Sequence, residues 1–316
     1  MKEIGGYIEF ERYHKELLHE EAIALNCGRN CLAYILLARN ISRIWLPKFL
    51  CESVKNVCDK ADVQVREYSI NQDFMPILDD NENDWVYIVN YYGQLSNSVI
   101  ESLVEKYKDK VILDYAQSYF QMPIKGVDTI YTCRKYFGVT DGAFLYTNLH
   151  INLQLPIDES FCRVNFLMGR LERTAQEFYG QYKDNNEMFK NEPIKRMSKL
   201  TDNFLRGIDY DEVKRIRNEN FLYLHRELAN RNLLNINMPD GPFMYPLYIE
   251  SGAEIRRKLC EQRIYIPILW PNVLNECNET EFEYQMSSNL LPLPVDQRYS
   301  ISDMQYIRDT LGAYIG

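Results

Sequence analysis

Apolar residues recur at helical spacing early in the chain. Leu32, Ile35, Leu36 and Ala38 give residues 28–39 one broad apolar face and predict a helix. Short β-like runs follow: "RIWLP" (43–47), "VQVREY" (63–68), "WVYIV" (85–89), "VILD" (111–114), "TIYT" (129–132) and "AFLYT" (143–147). The second alternates, whereas "WVYIV" and "VILD" are continuously apolar, as in strands buried on both faces. Between them, "NSVIESLVEKYKD" (97–109) places Val99, Ile100, Leu103, Val104 and Tyr107 on one helical face. Strands that alternate with helices in this way predict an α/β fold with a mainly parallel sheet covered on both sides.

The pattern changes over residues 158–232, where β-like runs give way to charged and aromatic residues at helical spacing. Asp209 stands three residues before Glu212, a helix-start signature. Val213, Ile216, Leu224 and Leu228 then mark a long helix leaving the first domain. "FMYPLYI" (243–249) and "RIYIPILW" (263–270) read as strands of a smaller α+β unit that "SDMQYIRDTLGAYI" closes as a helix. The expected division is a large domain over 1–205 and a small one over 206–316, with residues 1–20 packing back on the small domain. The polar stretch "KDNNEMFKNEP" (183–193) reads as a mobile loop of the kind that borders active sites.

Composition narrows the function. A chain of 316 residues suits about two domains and buries a core without needing disulfides or metal. The net charge is −9 with no basic block, which argues against nucleic acid or an anionic membrane as partner. "MKEIGGYIEF" lacks the apolar core of a signal peptide, and "CLAYILLA" (31–38) is too short to span a bilayer. Eight cysteines without a CxxC pair read as buried thiols in a reducing cytoplasm, not ligands or bridges, and His14, His19, His150 and His225 form no metal-spaced cluster.

Against that background, the end of "VILD" needs explaining. A carboxylate closing an apolar strand is costly unless it meets a partner. Asp114 either caps its own turn through its side chain or meets a ligand beyond the carboxyl end of the sheet. Twenty-one residues on, Lys135 follows a short strand and precedes a glycine-containing turn; alone it would read as a surface lysine beside Arg134. Gly28 opens the first helix, where free N–H groups favour an anion such as phosphate. Phe49, in the loop after "RIWLP", is a candidate stacking plate. A carboxylate for a pyridine nitrogen, a lysine for an aldehyde, a helix N-terminus for a phosphate and an aromatic face together match pyridoxal 5'-phosphate.

The same residues resemble the DegT-type sugar aminotransferases, pyridoxal-phosphate enzymes of fold type I in the aspartate aminotransferase superfamily. Asp114, Ala116 and Gln117 match the family's D-x-A-Q signature, and "TCRKYFGVTDGAFLY" matches its lysine segment. "VNYYGQ" (89–94) resembles the family's segment ending in Tyr-Gly, and "LLPLPVDQRYSISDM" (290–304) its Leu-Pro-x-x-x-Arg run. The resemblance covers residues 20–150 and returns over 260–312. It implies a mainly parallel seven-stranded sheet sandwiched by helices, plus a smaller C-terminal α+β domain. It also implies that Asp114 binds the pyridine nitrogen, that Ala116 packs under the ring, and that Gln117 lies near the phenolic oxygen. Lys135 would form the Schiff base, with Thr132 at the phosphate. Two departures stand out: Arg29-Asn30, cofactor-binding candidates together with Gly28, replaces the small residues that usually follow Gly28, and Gly142-Ala143 replaces a glycine-rich turn.

By resemblance, then, the activity is amino transfer from a glutamate-like donor to a keto acceptor, a keto sugar attached to a nucleotide, in a homodimer. A relative that carries His at the lysine position removes a hydroxyl instead, and Lys135 argues against that reaction. Tyr91, Tyr92, Arg134 and Arg298 are candidate substrate residues, the arginines because a planar fork suits carboxylate or phosphate. Trp270 reads as a core or domain-contact residue. Two other classes stay open: a non-catalytic sensor or scaffold that keeps the pocket, and an NAD-dependent oxidoreductase. The missing G-x-G-x-x-G after the first strand counts against the latter.

Overall fold

A computed structural model describes residues 4–315. Its first half runs β1 (Ile23–Leu25), α1 (Gly28–Arg39), β2 (Arg43–Pro47), α2 (Glu52–Lys60), β3 (Gln64–Ile70), β4 (Pro76–Ile77), β5 (Trp85–Val89), α3 (Asn97–Lys106), β6 (Val111–Asp114), β7 (Asp128–Thr132) and β8 (Ala143–Tyr146). These eight strands form one sheet in the order β1-β8-β7-β6-β5-β2-β3-β4. The central five, β3-β2-β5-β6-β7, are parallel, and β8 runs antiparallel between β7 and β1. Seven strands make the mainly parallel sheet that the pattern predicts. The eighth, β4, is a two-residue edge segment led by Pro76, where a missing N–H costs no ladder bond.

The central strands are buried almost throughout, with Val86 to Val89 and Val111 to Leu113 at most 3% exposed, because helices cover both faces. α1 buries Leu32, Ile35 and Leu36 and packs on β7 and β8, and α2 packs on β3. α3 buries Ile100, Leu103 and Val104 and ends three residues before its predicted limit, where Lys108 and Asp109 turn to positive φ.

The second half runs α4 (Asn165–Glu172), α5 (Tyr179–Met188), α6 (Lys199–Arg206), α7 (Tyr210–Leu228), β9 (Met244–Tyr248), α8 (Gly252–Glu261), α9 (Val273–Glu276), α10 (Phe282–Asn289), β10 (Leu290–Pro294) and α11 (Ile301–Gly312). Asp209 caps α7 by accepting the Glu212 N–H at 3.1 Å, and α7 packs on β9 and α11. Two expectations are corrected. Residues 263–270 form no strand, since Arg263 and Trp270 adopt positive φ at both ends; the partner of β9 is β10 instead. The polar stretch 183–193 is no loop over its first half, which completes α5.

Of the N-terminal segment read as 1–20, residues 1–3 lie outside the described residues. Part of the remainder lies against α6. The Asn203 carboxamide binds the backbone of Glu11 and Tyr13, Arg206 pairs with Glu20, and Phe10 packs edge-on against Phe204.

Candidate active site

Parallel strands leave their carboxyl ends at one edge of the sheet, and the three chemically distinctive groups emerge there. β6 ends on Asp114, in register with Val89 of β5 and Ile130 of β7. β7 ends at Thr132 and passes into a 3-10 turn, Cys133–Lys135. α1 starts beside that turn.

Asp114 is half-buried and has two protein partners. The Tyr87 hydroxyl donates to Oδ2 at 2.9 Å, and the Ala116 N–H donates to Oδ1 at 2.8 Å. The carboxylate therefore does cap its own turn, yet it remains partly open toward the sheet edge. Lys135 faces the same space. Its side chain is exposed, but protein surrounds it on enough sides for desolvation to lower its pKa from the usual lysine value. The nearby charge of Asp114 opposes that effect by favouring the ammonium. Lys135 makes no ion pair or hydrogen bond among the described residues; its Nζ lies 5.6 Å from the centroid of the Phe243 ring.

Gln117 is 1% exposed, and its Oε1 accepts the Tyr92 N–H at 2.8 Å. Its Nε2, however, is buried without a partner. A buried amide donor without an acceptor is costly, so this N–H is free to bind a ligand's acceptor. Gly28 and Thr132 meet at the third point: a Cβ on Gly28 would come within 2.8 Å of Thr132 Oγ1. The Cys27 N-cap makes no side-chain bond, and the N–H groups of Gly28 and Arg29 are without partners among the described residues, as first-turn N–H groups of a helix are until something accepts them.

Positive charge gathers at the same place. The Arg134 guanidinium stacks on Phe189, 4.5 Å from the ring centroid, and donates to Asn186 Oδ1 at 2.6 Å. Arg29 donates to the Asn186 carbonyl, so the end of α5 meets both arginines. Burial lowers the Arg134 pKa, Arg29 adds repulsion, and Arg134 Nε is buried without an acceptor. Neither arginine has a carboxylate partner among the described residues.

Other candidates are not brought there. Asn30 turns its carboxamide to Asn26 and the Pro193 carbonyl, tying α1 to the following strap, and its N–H is used by Cys27. Phe49 offers no open face: it is fully enclosed, edge-on to Trp270 at 4.6 Å. Tyr91 and Tyr92 are buried, with Tyr91 donating to the Phe49 carbonyl and Tyr92 strained at φ 53. Gly93 follows at φ 73, where an added Cβ would strike Pro239 at 2.8 Å, so that tight turn requires glycine. The Arg298 fork is taken up by Asp296, with bonds of 2.7 and 2.8 Å. Sequence reasoning missed Tyr87, whose hydroxyl hides in an apolar run, and Asn186. A hollow of about 410 Å³ lies at the opposite edge of the sheet, but there Arg39 and Asp128 neutralise each other.

Among the described residues, no cluster is arranged to hold a metal ion, and no helix is long and apolar enough to cross a membrane. Gly28, Thr132, Asp114, Gln117 and Lys135 do fit a phosphorylated pyridine aldehyde in the donors and acceptors they leave free.

A scan of family models returns no match, and a search of curated proteins returns none. Solved structures do match nearly the whole chain. The DegT/DnrJ/EryC1/StrS aminotransferase of Brucella abortus is 14% identical, with a TM-score of 0.64 over 93% of this chain and 86% of its own. The sugar aminotransferase CalS13 of Micromonospora echinospora is 13% identical, with a TM-score of 0.60 over 94% and 88%. NtdA of Bacillus subtilis, solved with bound cofactor PMP, is 15% identical, with a TM-score of 0.61 over 93% and 73%. The chain has the fold of the DegT-type sugar aminotransferases, pyridoxal-phosphate fold type I.

Proposed function

We propose that the chain is a pyridoxal-phosphate-dependent aminotransferase that moves an amino group from a glutamate-like donor to a nucleotide-linked keto sugar. The observation that carries the reading is an acid and an amine of opposite duty at one sheet edge: Asp114, fixed by two donors, and Lys135, whose ammonium is disfavoured. When bound, the coenzyme supplies an aldehyde that condenses with amines and a pyridinium that draws off electrons.

Each residue then has a task. Asp114 keeps a proton on the ring nitrogen, and Tyr87 and Ala116 hold the carboxylate in place for it. Gln117 Nε2, buried without a partner, would donate to the phenolic oxygen, and Ala116 would lie under the ring. The Gly28 and Arg29 N–H groups and the Thr132 hydroxyl take the phosphate, with Arg29 and Arg134 supplying positive charge. Lys135 would hold the coenzyme through its aldehyde and would serve as the general base that moves the donor's proton. A lysine with a lowered pKa suits that work near neutral pH.

The reading includes a homodimer in a reducing cytoplasm and domains over 1–205 and 206–316. All eight cysteines are free, which suits that compartment, although Cys162 and Cys260 are exposed rather than buried as the sequence suggests; the exposed Phe161, Leu171 and Tyr179 offer a second copy apolar surface to bury.

Borohydride reduction of the coenzyme-saturated chain, followed by peptide mapping, is expected to leave the coenzyme fixed on Lys135. An unmodified Lys135 sinks the proposal. Loss of the coenzyme's visible absorbance on adding glutamate separates an aminotransferase from a sensor, which would keep its colour with every amino donor.

A further inference from the structure

Arg217 lies on the buried face of α7, 1% exposed, and no carboxylate is hydrogen-bonded to it among the described residues. Its donors go to groups that bracket Lys135. Nη2 donates at 3.2 Å to the carbonyl of Tyr136, the residue after Lys135. Nη1 donates at 2.8 Å to the Pro242 carbonyl and at 3.4 Å to that of Phe243, whose ring the Lys135 amine faces. Nε donates to Gln297 Oε1 at 2.8 Å, and Gln297 Nε2 returns to the same Tyr136 carbonyl at 2.8 Å. The guanidinium also lies over the Tyr136 ring, 4.4 Å from its centroid.

Fold stability alone gives this cation little purpose. A buried charge without a hydrogen-bonded counter-charge is costly, and an apolar side chain would fill the same space more cheaply. What the planar fork provides is simultaneous hold on three segments far apart in sequence: the lysine turn, the Pro242–Phe243 strand entry and the loop before α11.

We propose that Arg217 is a positioning residue for Lys135, which together with Gln297 locks the Cys133–Lys135 turn against Phe243 and so holds the amine facing Asp114. The inference rests on the role given to Lys135 above, but its test needs no coenzyme. The charged and titratable groups that face Lys135 are Asp114, Cys51 and Arg134, and those that face Arg217 are Tyr136, Asp296 and Arg298. None of them changes when Gln297 is replaced. Loosening the bracket admits water to the lysine turn and returns the amine toward ordinary lysine behaviour.

The experiment is the pH profile of reductive methylation at Lys135, read by peptide mass spectrometry on the full-length chain freed of coenzyme. In Arg217→Gln the midpoint is expected to rise, slowing the labelling at pH 8 about tenfold for each unit of rise, while other lysine peptides keep their rates. Gln297→Ala leaves the buried charge in place and is expected to move the midpoint the same way. A folded Arg217→Gln with the wild-type profile overturns the inference. Should that variant not fold, Gln297→Ala decides alone, and an unchanged profile there overturns it. Failure of borohydride to fix coenzyme on wild-type Lys135 would instead defeat the proposed function, so the two failures are distinct.

Discussion

A carboxylate at the end of an apolar strand must have its oxygens satisfied, and Asp114 has this done by Tyr87 and by the Ala116 N–H. Asn at that position keeps one acceptor for those donors, so Asp114→Asn is expected to fold with a near-normal melting temperature. What it loses is the negative charge that the proposed function sets against the ring nitrogen. The single-turnover rate of donor conversion should fall roughly a hundred- to a thousandfold, the scale of removing one partner of a desolvated ion pair; a rate within threefold of wild type would rule out the assigned role. Gly28→Ala tests the other end of the site. Its Cβ would sit 2.8 Å from Thr132 Oγ1, so the hydroxyl must move, and affinity for the phosphorylated coenzyme should drop about tenfold in an absorbance titration. Both positions drew attention in the sequence because each stands out locally: a charge ends a buried run, and a glycine opens a helix. Phe49 and Asn30 were misread because sequence places a residue in a loop or turn without saying which way its side chain faces. Arg217 left a faint signal, since it and Asn220 fall among Val213, Phe221, Leu224 and Leu228 on the apolar stripe of α7.

At the scale of elements, strands buried on both faces were readable from continuous apolar runs, whereas β9 and β10 were readable only in part. "LLPLP" carries two prolines, which argue against a strand. In a two-stranded sheet, however, Pro292 lies opposite Pro246, so two missing donors fall at one position. Residues 263–270 bury Ile264 and Ile266 and expose Tyr265, the alternation of a strand, yet pair with no neighbour among the described residues. α5 escaped notice for a different reason. Asn185 is the buried residue of that helix, and polar bonds hold it, from Asn185 to the Thr140 carbonyl and from Arg134 to Asn186. The turn after Lys135 reaches α6 through Asp141, a fully buried carboxylate. Asp141 accepts from the Ser198 N–H at 2.8 Å, from the Ser198 hydroxyl at 2.7 Å, and from Thr201 Oγ1. Asp141→Ala leaves those donors unpaired. Urea unfolding is expected to report a loss of about 3 kcal/mol, and Ser198→Ala, which loses the α6 N-cap, about 1 kcal/mol. Equal losses for the two would mean that Asp141 does not organise this junction.

At the scale of the whole molecule, the two halves of the chain are fastened at several points. Lys48 pairs with Glu281, and the buried Glu283 of α10 accepts the Ile70 N–H at 2.8 Å. A fastening within the first half carries a titratable group. His19, fully buried, anchors the N-terminal segment in a box formed by Tyr119, Tyr131, Phe144 and Tyr146. Its Nε2 lies 2.9 Å from the Tyr119 carbonyl, which can only accept, so Nε2 carries the proton and Nδ1 accepts from the Tyr146 hydroxyl at 3.2 Å. Desolvation lowers the His19 pKa from 6.5 to about 4, with the bond to the Tyr119 carbonyl opposing. Between those values the unfolded chain binds a proton at this position and the folded chain does not, so stability rises with pH across the window. The contribution is therefore complete above pH 6.5 and is lost as pH falls toward 4, at a cost of about 3 kcal/mol at the lower end. Other groups titrate there too, so the test is a difference between proteins. His19→Gln can still donate to the Tyr119 carbonyl but does not ionise. The wild-type advantage over it in urea unfolding should shrink by that amount between pH 7 and pH 4; a difference that stays constant over the range would show that His19 is not neutral in the folded chain.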